Sequence, residues 1–409
     1  MVVVTESAAA KLRTRPMKVG VAGLGAGAIQ VVAAMEDAPY VDLVAAADIR
    51  PRALEAFAQR YGGRGYGSVE ELANDPDVEC IWISTPNQLH CEHALTAARG
   101  GKHIVVEKPM AVTLQQAAQM VEEADRNNVK LLCGHTASLM AGFRAMRRVI
   151  TSGELGRPMA INCWSYVDWL FRPRMAPEID ISIGGGVPYR QGPHQFDVVR
   201  LMGGGMVKSV RGAVRDWMPF RGNTPGYYTA FLEFEDGLPA TVVKNAYGYF
   251  HTTELVPWAG SIEIPEANRL LRKALRNGEQ VDESERKEAI RFGSGREARL
   301  VQDRDRPART GFQQDAGLVI VSCEKGDIRQ SANGLTIYDD EGHHEVPVEG
   351  VHDERMAELD EMYDAIAENR NVHHDGRWGM ATLEIILAMM ESSKEGREIK
   401  LSHQCPAWE

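Results

Sequence analysis

Residues 17–39 read MKVGVAGLGAGAIQVVAAMEDAP, and this stretch decides the fold. Met17 to Gly23 is a short β-branched apolar run that ends in glycine, and the residues after it carry helix-forming spacing that stops before Pro39. Strand, glycine turn and helix, in that order, are the context in which a dinucleotide fingerprint carries meaning. The fingerprint here is Gly23-x-Gly25-x-x-Ala28. Gly23 permits the tight turn, Gly25 lets backbone N–H groups approach a pyrophosphate, and Ala28 keeps the helix close to the sheet. The helix N-terminus favours the anion, so Leu24 and Ala26 belong to the same candidate cradle. The chain holds 39 glycines, so the pattern alone is weak and needs a second signal.

The next strand supplies it. Asp42 to Ala47 (DLVAAA) runs into Asp48, 20 positions past Ala28. An acid at that strand end accepts hydrogen bonds from the adenosine ribose hydroxyls and repels a 2′-phosphate, which favours NAD over NADP. Arg50 and Arg52 partly offset that repulsion, and Ile49 and Arg50 complete the expected adenosine end. Asp48 could also cap a helix before Pro51, and the two roles can coexist.

Strand–helix units continue downstream. CIWIS (80–84), KHIVV (102–106) and VKLLC (129–133) read as buried strands. Gln88 to Arg99 and Thr113 to Asn127 read as helices, the second with an N-cap threonine. Alternation of this kind makes a parallel sheet covered on both faces, with ligands at the carboxyl ends of its strands. Two polar clusters occupy those ends: Thr85-Pro86-Asn87-Gln88-Leu89-His90 and Glu107-Lys108-Pro109.

Composition narrows the function classes. The 409 residues are 44% hydrophobic and 25% charged, the balance of a soluble globular chain with material for two or three domains. A net charge of -11 argues against free nucleic acid as a partner. No apolar run approaches the length of a membrane span. The start, MVVVTESAAAKLRTRP, has its short apolar stretch ahead of the basic residues, the wrong order for a signal peptide. Six scattered cysteines without a CxxC read as reduced thiols of a cytoplasmic protein. His90 and His93 have no third ligand nearby, so no metal site is expected.

The chain resembles the Gfo/Idh/MocA oxidoreductases, the glucose–fructose oxidoreductase and inositol dehydrogenase group. GLGAGA (23–28), the Asp48 strand end, TPNQLH (85–90) and AARGGKHIVVEKPM (97–110) carry the resemblance. It implies an α/β chain: an N-terminal Rossmann doubly wound parallel sheet, then an α+β domain with a large open, mainly antiparallel sheet. On this reading 1–16 is a flexible segment, 17–137 binds the dinucleotide, and 138–409 holds substrate and the oligomer contacts. It further implies that Thr85, Pro86, Asn87, His90, Glu107 and Lys108 line the cofactor, and that the open sheet joins a homodimer or homotetramer.

From about Leu155 the runs GRPMAINCWSYVDW, VKSVRGAVRDW, YYTAFLEFED and LPATVVKNAYGY alternate as antiparallel strands do. Between them lies Gly184-Gly185-Gly186-Val187-Pro188-Tyr189-Arg190-Gln191-Gly192-Pro193-His194-Gln195-Phe196-Asp197. Its three glycines suggest a loop near a ligand, followed by a helix starting near His194. In the family this segment carries an aspartate four residues before the histidine. The histidine maps to His194, but Arg190 stands where the aspartate would. A guanidinium reverses the local charge and suits a substrate carboxylate, which it can hold by two parallel hydrogen bonds. Arg172 and Arg174 can add to that anion site or remain solvated loop charges; Arg190 could instead form a structural salt bridge. The Arg190-to-Asp197 segment resembles the phthalate 4,5-dihydrodiol dehydrogenase branch, which oxidises a cis-dihydrodiol of a ring bearing carboxylates. Sugar or polyol oxidation, and NAD-dependent glycoside cleavage with a cofactor that is not consumed, are the alternatives. A non-enzymatic NAD-binding protein is the third.

His194 and Lys108 are the candidate catalytic pair, assigned jointly to the hydroxyl proton. Both also belong to the substrate-binding set, with Arg172, Arg174 and Arg190. An ion pair with Glu107 is the bland role for Lys108. Asp197 either orients the imidazole or is a plain exposed acid. Trp164, Tyr166 and Trp169 either wall a flat substrate or pack the sheet, and packing is favoured. The charged stretch 263–309 is an interruption that ordinary members of the resembled family do not carry. It reads as a surface excursion, a lid or a subunit arm, or as local disorder. The sheet resumes over 318–340, and two closing helices follow within 354–397.

Overall fold

The computed structural model describes residues 15–408 apart from 135, 223, 257, 259–263, 290, 295–314 and 349–353. Residues 1–14 of the expected flexible segment and 263, 290 and 295–309 of the charged stretch therefore lie outside the described residues.

The alternating apolar runs build a six-stranded parallel sheet. Strands β1 (Met17–Ala22), β2 (Val41–Ala47), β3 (Arg64–Tyr66), β4 (Cys80–Ile83), β5 (His103–Glu107) and β6 (Leu131–Gly134) lie in the order β3-β2-β1-β4-β5-β6. Every residue of β4 is buried, as a strand covered on both faces requires. The covering helices are α1 (Ala26–Asp37), α2 (Pro51–Tyr61), α3 (Val69–Ala73), α4 (His90–Arg99) and α5 (Leu114–Arg126). Helix α5 begins in a capping box: Thr113 Oγ1 accepts from the Gln116 amide at 3.2 Å, and Gln116 Oε1 accepts from the Thr113 amide at 3.3 Å. Strand order reverses between β1 and β4, which opens a crevice at the carboxyl ends of both.

Helices α6 (Thr136–Leu139) and α7 (Ala141–Ser152) lead to a second sheet. It comprises β7 (Pro158–Tyr166), β8 (Val207–Arg215), β9 (Tyr227–Phe234), β10 (Pro239–Asn245), β11 (Leu318–Cys323), β12 (Gly326–Gln330), β13 (Gly334–Asp339), β14 (Gly342–Pro347) and β15 (Ile399–Lys400). The order is β14-β13-β12-β11-β7-β10-β9-β8-β15, antiparallel throughout except for the parallel pair β7–β10. One face buries Cys163, Ala230 and Val242 in a core shared with the helices behind it. The other carries Trp164 and Phe231, 40% and 47% exposed. Trp164 thus faces away from Trp169, which is buried, and Tyr166 packs edge-on against Phe250, so these three rings do not form one aromatic wall.

After α8 (Ala176–Ile179), helix α9 spans Gly186–Met202, so it begins eight residues before His194 rather than near it. The glycines stand at its entry, where they do not weaken a helix interior. Gly185 is the N-cap residue, and a Cβ there would lie 2.6 Å from the Pro177 carbonyl oxygen.

The described part of the charged stretch is neither a simple surface excursion nor featureless. It forms helices α10 (Glu266–Arg276) and α11 (Ser284–Glu288), and α10 packs against the short turns at 169–171 and 219–221. Lys287 Nζ lies 2.6 Å from Glu178 Oε1, and Phe292 is buried among Phe57 and Tyr61 beside α2. Glu283 takes both terminal nitrogens of Arg221, and both side chains are almost fully enclosed. Arg221→Met leaves that buried carboxylate with only the Arg174 amide, at 2.9 Å, among the described residues, so guanidinium-chloride unfolding should show a loss of about 3 kcal/mol. Arg221→Met with Glu283→Leu should recover most of it.

The chain closes with α12 (Glu354–Ala367) against α1 and α13 (Gly376–Glu395) between α5, α9 and β8. Asp375 caps α13 by accepting from the Trp378 amide at 2.8 Å. Trp378 Nε1 in turn donates to Asp197 at 2.6 Å, and the Ser138 amide donates to the same carboxylate at 3.2 Å. Asp197 is fully buried, so it is not an exposed acid, and its hydrogen-bonding serves the packing of α13.

Candidate active site

The crevice between β1 and β4 is built for an anion. Gly23 has φ +89°, and a Cβ there would lie 2.9 Å from Thr85 Cγ2. At Gly25 a Cβ would meet no atom within 4 Å, so this backbone faces open space. Helix α1 starts immediately after, and its N-cap residue Gly25 supplies no side-chain cap. The positive end of a helix suits a pyrophosphate.

At the neighbouring strand end, Asp48 holds two loops together. Its carboxylate accepts from the Leu24 amide at 2.7 Å and the Arg50 amide at 2.8 Å. Arg50 folds back over it, with Nε 3.1 Å from Oδ1, and donates to the Leu24 carbonyl at 2.6 Å. Arg50, not Asp48, is the N-cap residue of α2, so the capping role read for Asp48 falls away. Ile49 is 90% exposed beside them, an apolar surface open to a flat ring. The glycine turn, the carboxylate and this surface together fit an adenine dinucleotide.

The two polar clusters meet across the crevice. His90 lies between the Thr85 carbonyl at 2.8 Å and the Pro109 carbonyl at 2.9 Å, and burial pushes its pKa down. Both ring nitrogens are occupied by these loops, so His90 ties them together and presents no ring nitrogen to a cofactor. Thr85 Oγ1 pairs with His93 Nδ1 at 2.9 Å. Asn87 Nδ2 donates to the Gly184 carbonyl at 2.6 Å and so fastens the entry of α9 to this end of the sheet.

Lys108 and Glu107 do not pair. Glu107 Oε1 lies 2.7 Å from Arg355 NH1 in α12, whereas Lys108 Nζ donates to the Arg190 carbonyl at 3.1 Å. Burial and the Arg190 guanidinium together lower the Lys108 pKa to about 8, against the opposite pull of Glu107 and Asp315.

The three arginines differ. Arg172 is already paired, its Nε 3.0 Å from Asp168 Oδ1. Arg174 lies flat on Trp169, 3.8 Å from the ring centroid, and donates to that residue's carbonyl at 3.1 Å. Burial lowers its pKa to about 9 despite Glu178. Among the described residues the Arg190 guanidinium has only loose partners, Asn87 Oδ1 at 3.5 Å and Glu178 Oε1 at 3.7 Å. Lys287 holds that same Glu178 oxygen closely, so the Arg190 guanidinium keeps an unbalanced charge beside Lys108.

Two residues here escape a reading of the sequence. Lys244 is fully buried, donating to Ser165 Oγ and to the Asp315 carbonyl, each at 2.9 Å. Burial brings its pKa down to about 8. Asp315 Oδ1 lies 3.8 Å from Lys244 Nζ and has no hydrogen-bond partner. Burial pushes the Asp315 carboxyl up, but Lys244, His194, Arg172 and Lys108 hold it well below the usual range. His194, almost fully buried in α9, therefore shares this neighbourhood. A signal for Lys244 exists: in PATVVKN it follows Ala240 and Val242 on the inward face, where a lysine is out of place. Asp315 sits at the edge of the charged stretch, where one acid among many carries no signal.

Comparison with known proteins agrees with this geometry. Residues 17–135 match the family model described as an oxidoreductase family with an NAD-binding Rossmann fold, and 143–263 match the GFO/IDH/MocA C-terminal domain. A 1-carboxy-3-chloro-3,4-dihydroxycyclohexa-1,5-diene dehydrogenase from Comamonas testosteroni is 33% identical over 92% of this chain and 95% of its own length. A myo-inositol 2-dehydrogenase from Thermotoga maritima is 28% identical over 47% of this chain and 57% of its own. A solved structure from Bordetella bronchiseptica RB50 superposes with TM-score 0.85 at 34% identity, covering 94% of this chain and all of that one. With the crevice, the glycine turn and both family segments in agreement, this chain belongs to the GFO/IDH/MocA oxidoreductases and is an NAD-binding enzyme of that family.

Proposed function

We propose that this enzyme oxidises a small hydroxylated, carboxylated ring compound, a cis-dihydrodiol of the phthalate type, with NAD as the acceptor. The observation that carries the reading is the loosely held Arg190 guanidinium beside Lys108. A substrate carboxylate would give Arg190 the close partner it lacks and bring the ring's hydroxyls toward Lys108 and His194. Lys108 and His194 share the hydroxyl proton; an amine that titrates near 8 can take it or, protonated, steady the developing alkoxide. A bound nicotinamide would supply the hydride acceptor for the carbon that bears this hydroxyl. Loss of hydride and proton leaves a ketone that enolises to an aromatic diol, so oxidation is the favoured direction. The Comamonas relative's name, with its carboxy and dihydroxy groups, supports this substrate class.

NAD is preferred to NADP on this reading because Asp48 places a carboxylate at the adenosine end. Asp48→Asn should lower the ratio of kcat/KM with NAD to that with NADP by about 10-fold, the worth of one charged hydrogen bond. Steady-state rates with both cofactors check it. The face carrying Trp164 and Phe231 is the proposed contact of a homodimer or homotetramer, in a cytoplasmic protein. Among the described residues no helix is long and apolar enough to cross a membrane.

The test is a panel of carboxylated cis-dihydrodiols, hydroxy acids, polyols and glycosides, followed by the absorbance of reduced nicotinamide. Net NADH with the carboxylated diols is expected. Glycoside cleavage without net NADH, or faster turnover of uncharged polyols, would overturn the proposal.

A further inference from the structure

We propose that Arg355 is a positioning residue for Lys108: by engaging Glu107 it leaves the Lys108 amine without a carboxylate partner. This inference rests on the reading of Lys108 as a proton-handling group. Glu107 is the last residue of β5 and Lys108 follows it directly. Glu107 is turned into the interior, where Trp82 Nε1 lies 3.4 Å from Oε1. Left alone, a buried carboxylate there would draw the nearest ammonium. Arg355 prevents that. Its NH1 lies 2.7 Å from Glu107 Oε1 and 2.9 Å from Oε2 of the fully buried Glu358, one cation between two acids. It comes from α12, nearly 250 positions along the chain, and is itself only 12% exposed.

The charges that act on Lys108 come from several elements: Arg190 in α9, Glu107 in β5, Asp315 before β11 and Arg355 in α12. Lys244 in β10 and His194 in α9 act on Asp315, and His90 acts on Glu107. Arg355 is the member of this set that makes a close contact with the lysine's own neighbour. With it in place, part of the pull of Glu107 on the amine is offset, and burial with the Arg190 guanidinium governs the lysine. Without it, Glu107 acts on Lys108 at full strength and the ammonium is favoured.

Brief labelling with trace acetic anhydride across a pH series, with acetyl-Lys108 counted by peptide mass spectrometry, reads this directly and needs no substrate. The natural chain should give a midpoint near 8. Arg355→Met with Glu358→Gln removes one cation and one anion and should raise the midpoint by about 1 pH unit. Arg355→Lys, which keeps the charge, should leave it close to the original. Adding Glu107→Gln to the double variant should abolish the rise. Should the double variant not fold, Arg355→Gln alone carries the same expectation. An unmoved midpoint, or a rise that persists without Glu107, overturns the proposal. If the midpoint moves as stated while the pH dependence of NADH formation does not, Lys108 is not the proton carrier and the assignment of Arg355 stands.

Discussion

Lys108→Met should lower the rate of hydride transfer from a carboxylated dihydrodiol by about 10²–10⁴-fold, the usual worth of a positioned acid–base group. NAD affinity, measured by fluorescence quenching, should change little, because the proposed dinucleotide contacts at the glycine turn and Asp48 lie at the cofactor's other end. His194→Ala should cost a comparable factor. The pH profile of the natural chain separates their roles. With a Lys108 pKa of about 8, kcat/KM rises through that region if the neutral amine takes the proton. It falls there if the ammonium steadies the alkoxide while His194 takes the proton. In Lys108→Met the limb near 8 disappears in either case. A variant that keeps full activity would remove Lys108 from the chemistry.

Arg190→Met should raise KM for carboxylated diols by about 10–100-fold, the equivalent of one charge-assisted contact of ~1.5–3 kcal/mol. KM for an uncharged cis-diol should stay level, and so should cofactor affinity. Arg190→Asp should go further, since a carboxylate beside Glu178 repels the substrate's own. The reasoning is the uneven sharing of Glu178. Lys287 holds it at 2.6 Å while Arg190 stands off at 3.7 Å, so the guanidinium keeps its charge for a ligand. An unchanged KM for the carboxylated compound would end the anion-site reading.

Local signals make the parallel sheet legible in the amino-acid sequence. The run MKVGVAG, the threonine cap at 113 and the all-apolar CIWI each depend on residues close in sequence. The start of α9 is not legible in the same way. Gly184-Gly185-Gly186 looks like a loop, yet it leads straight into α9, with Gly185 as the N-cap residue packed tightly against Pro177 and Asp180. The pairing of Glu107 with Arg355, and of Glu283 with Arg221, joins residues far apart along the chain, and no spacing rule reaches so far. The charged stretch misleads for a related reason. Its composition is that of a solvated surface, but Phe292 anchors it against α2 and Lys287 against Glu178 of α8. Arg190 is legible only against the family pattern it breaks; alone, one arginine after a glycine run says nothing.

The central claim is that one cation fixes the substrate while an amine and an imidazole await its hydroxyl. A crystal structure of the enzyme with NADH and a carboxylated cis-dihydrodiol tests it most directly. The account predicts the carboxylate on the Arg190 guanidinium at about 2.7–2.9 Å, with the reacting hydroxyl within roughly 3.2 Å of Lys108 Nζ or a His194 ring nitrogen. A carboxylate bound elsewhere, with both groups more than one water away from the hydroxyl, would contradict it.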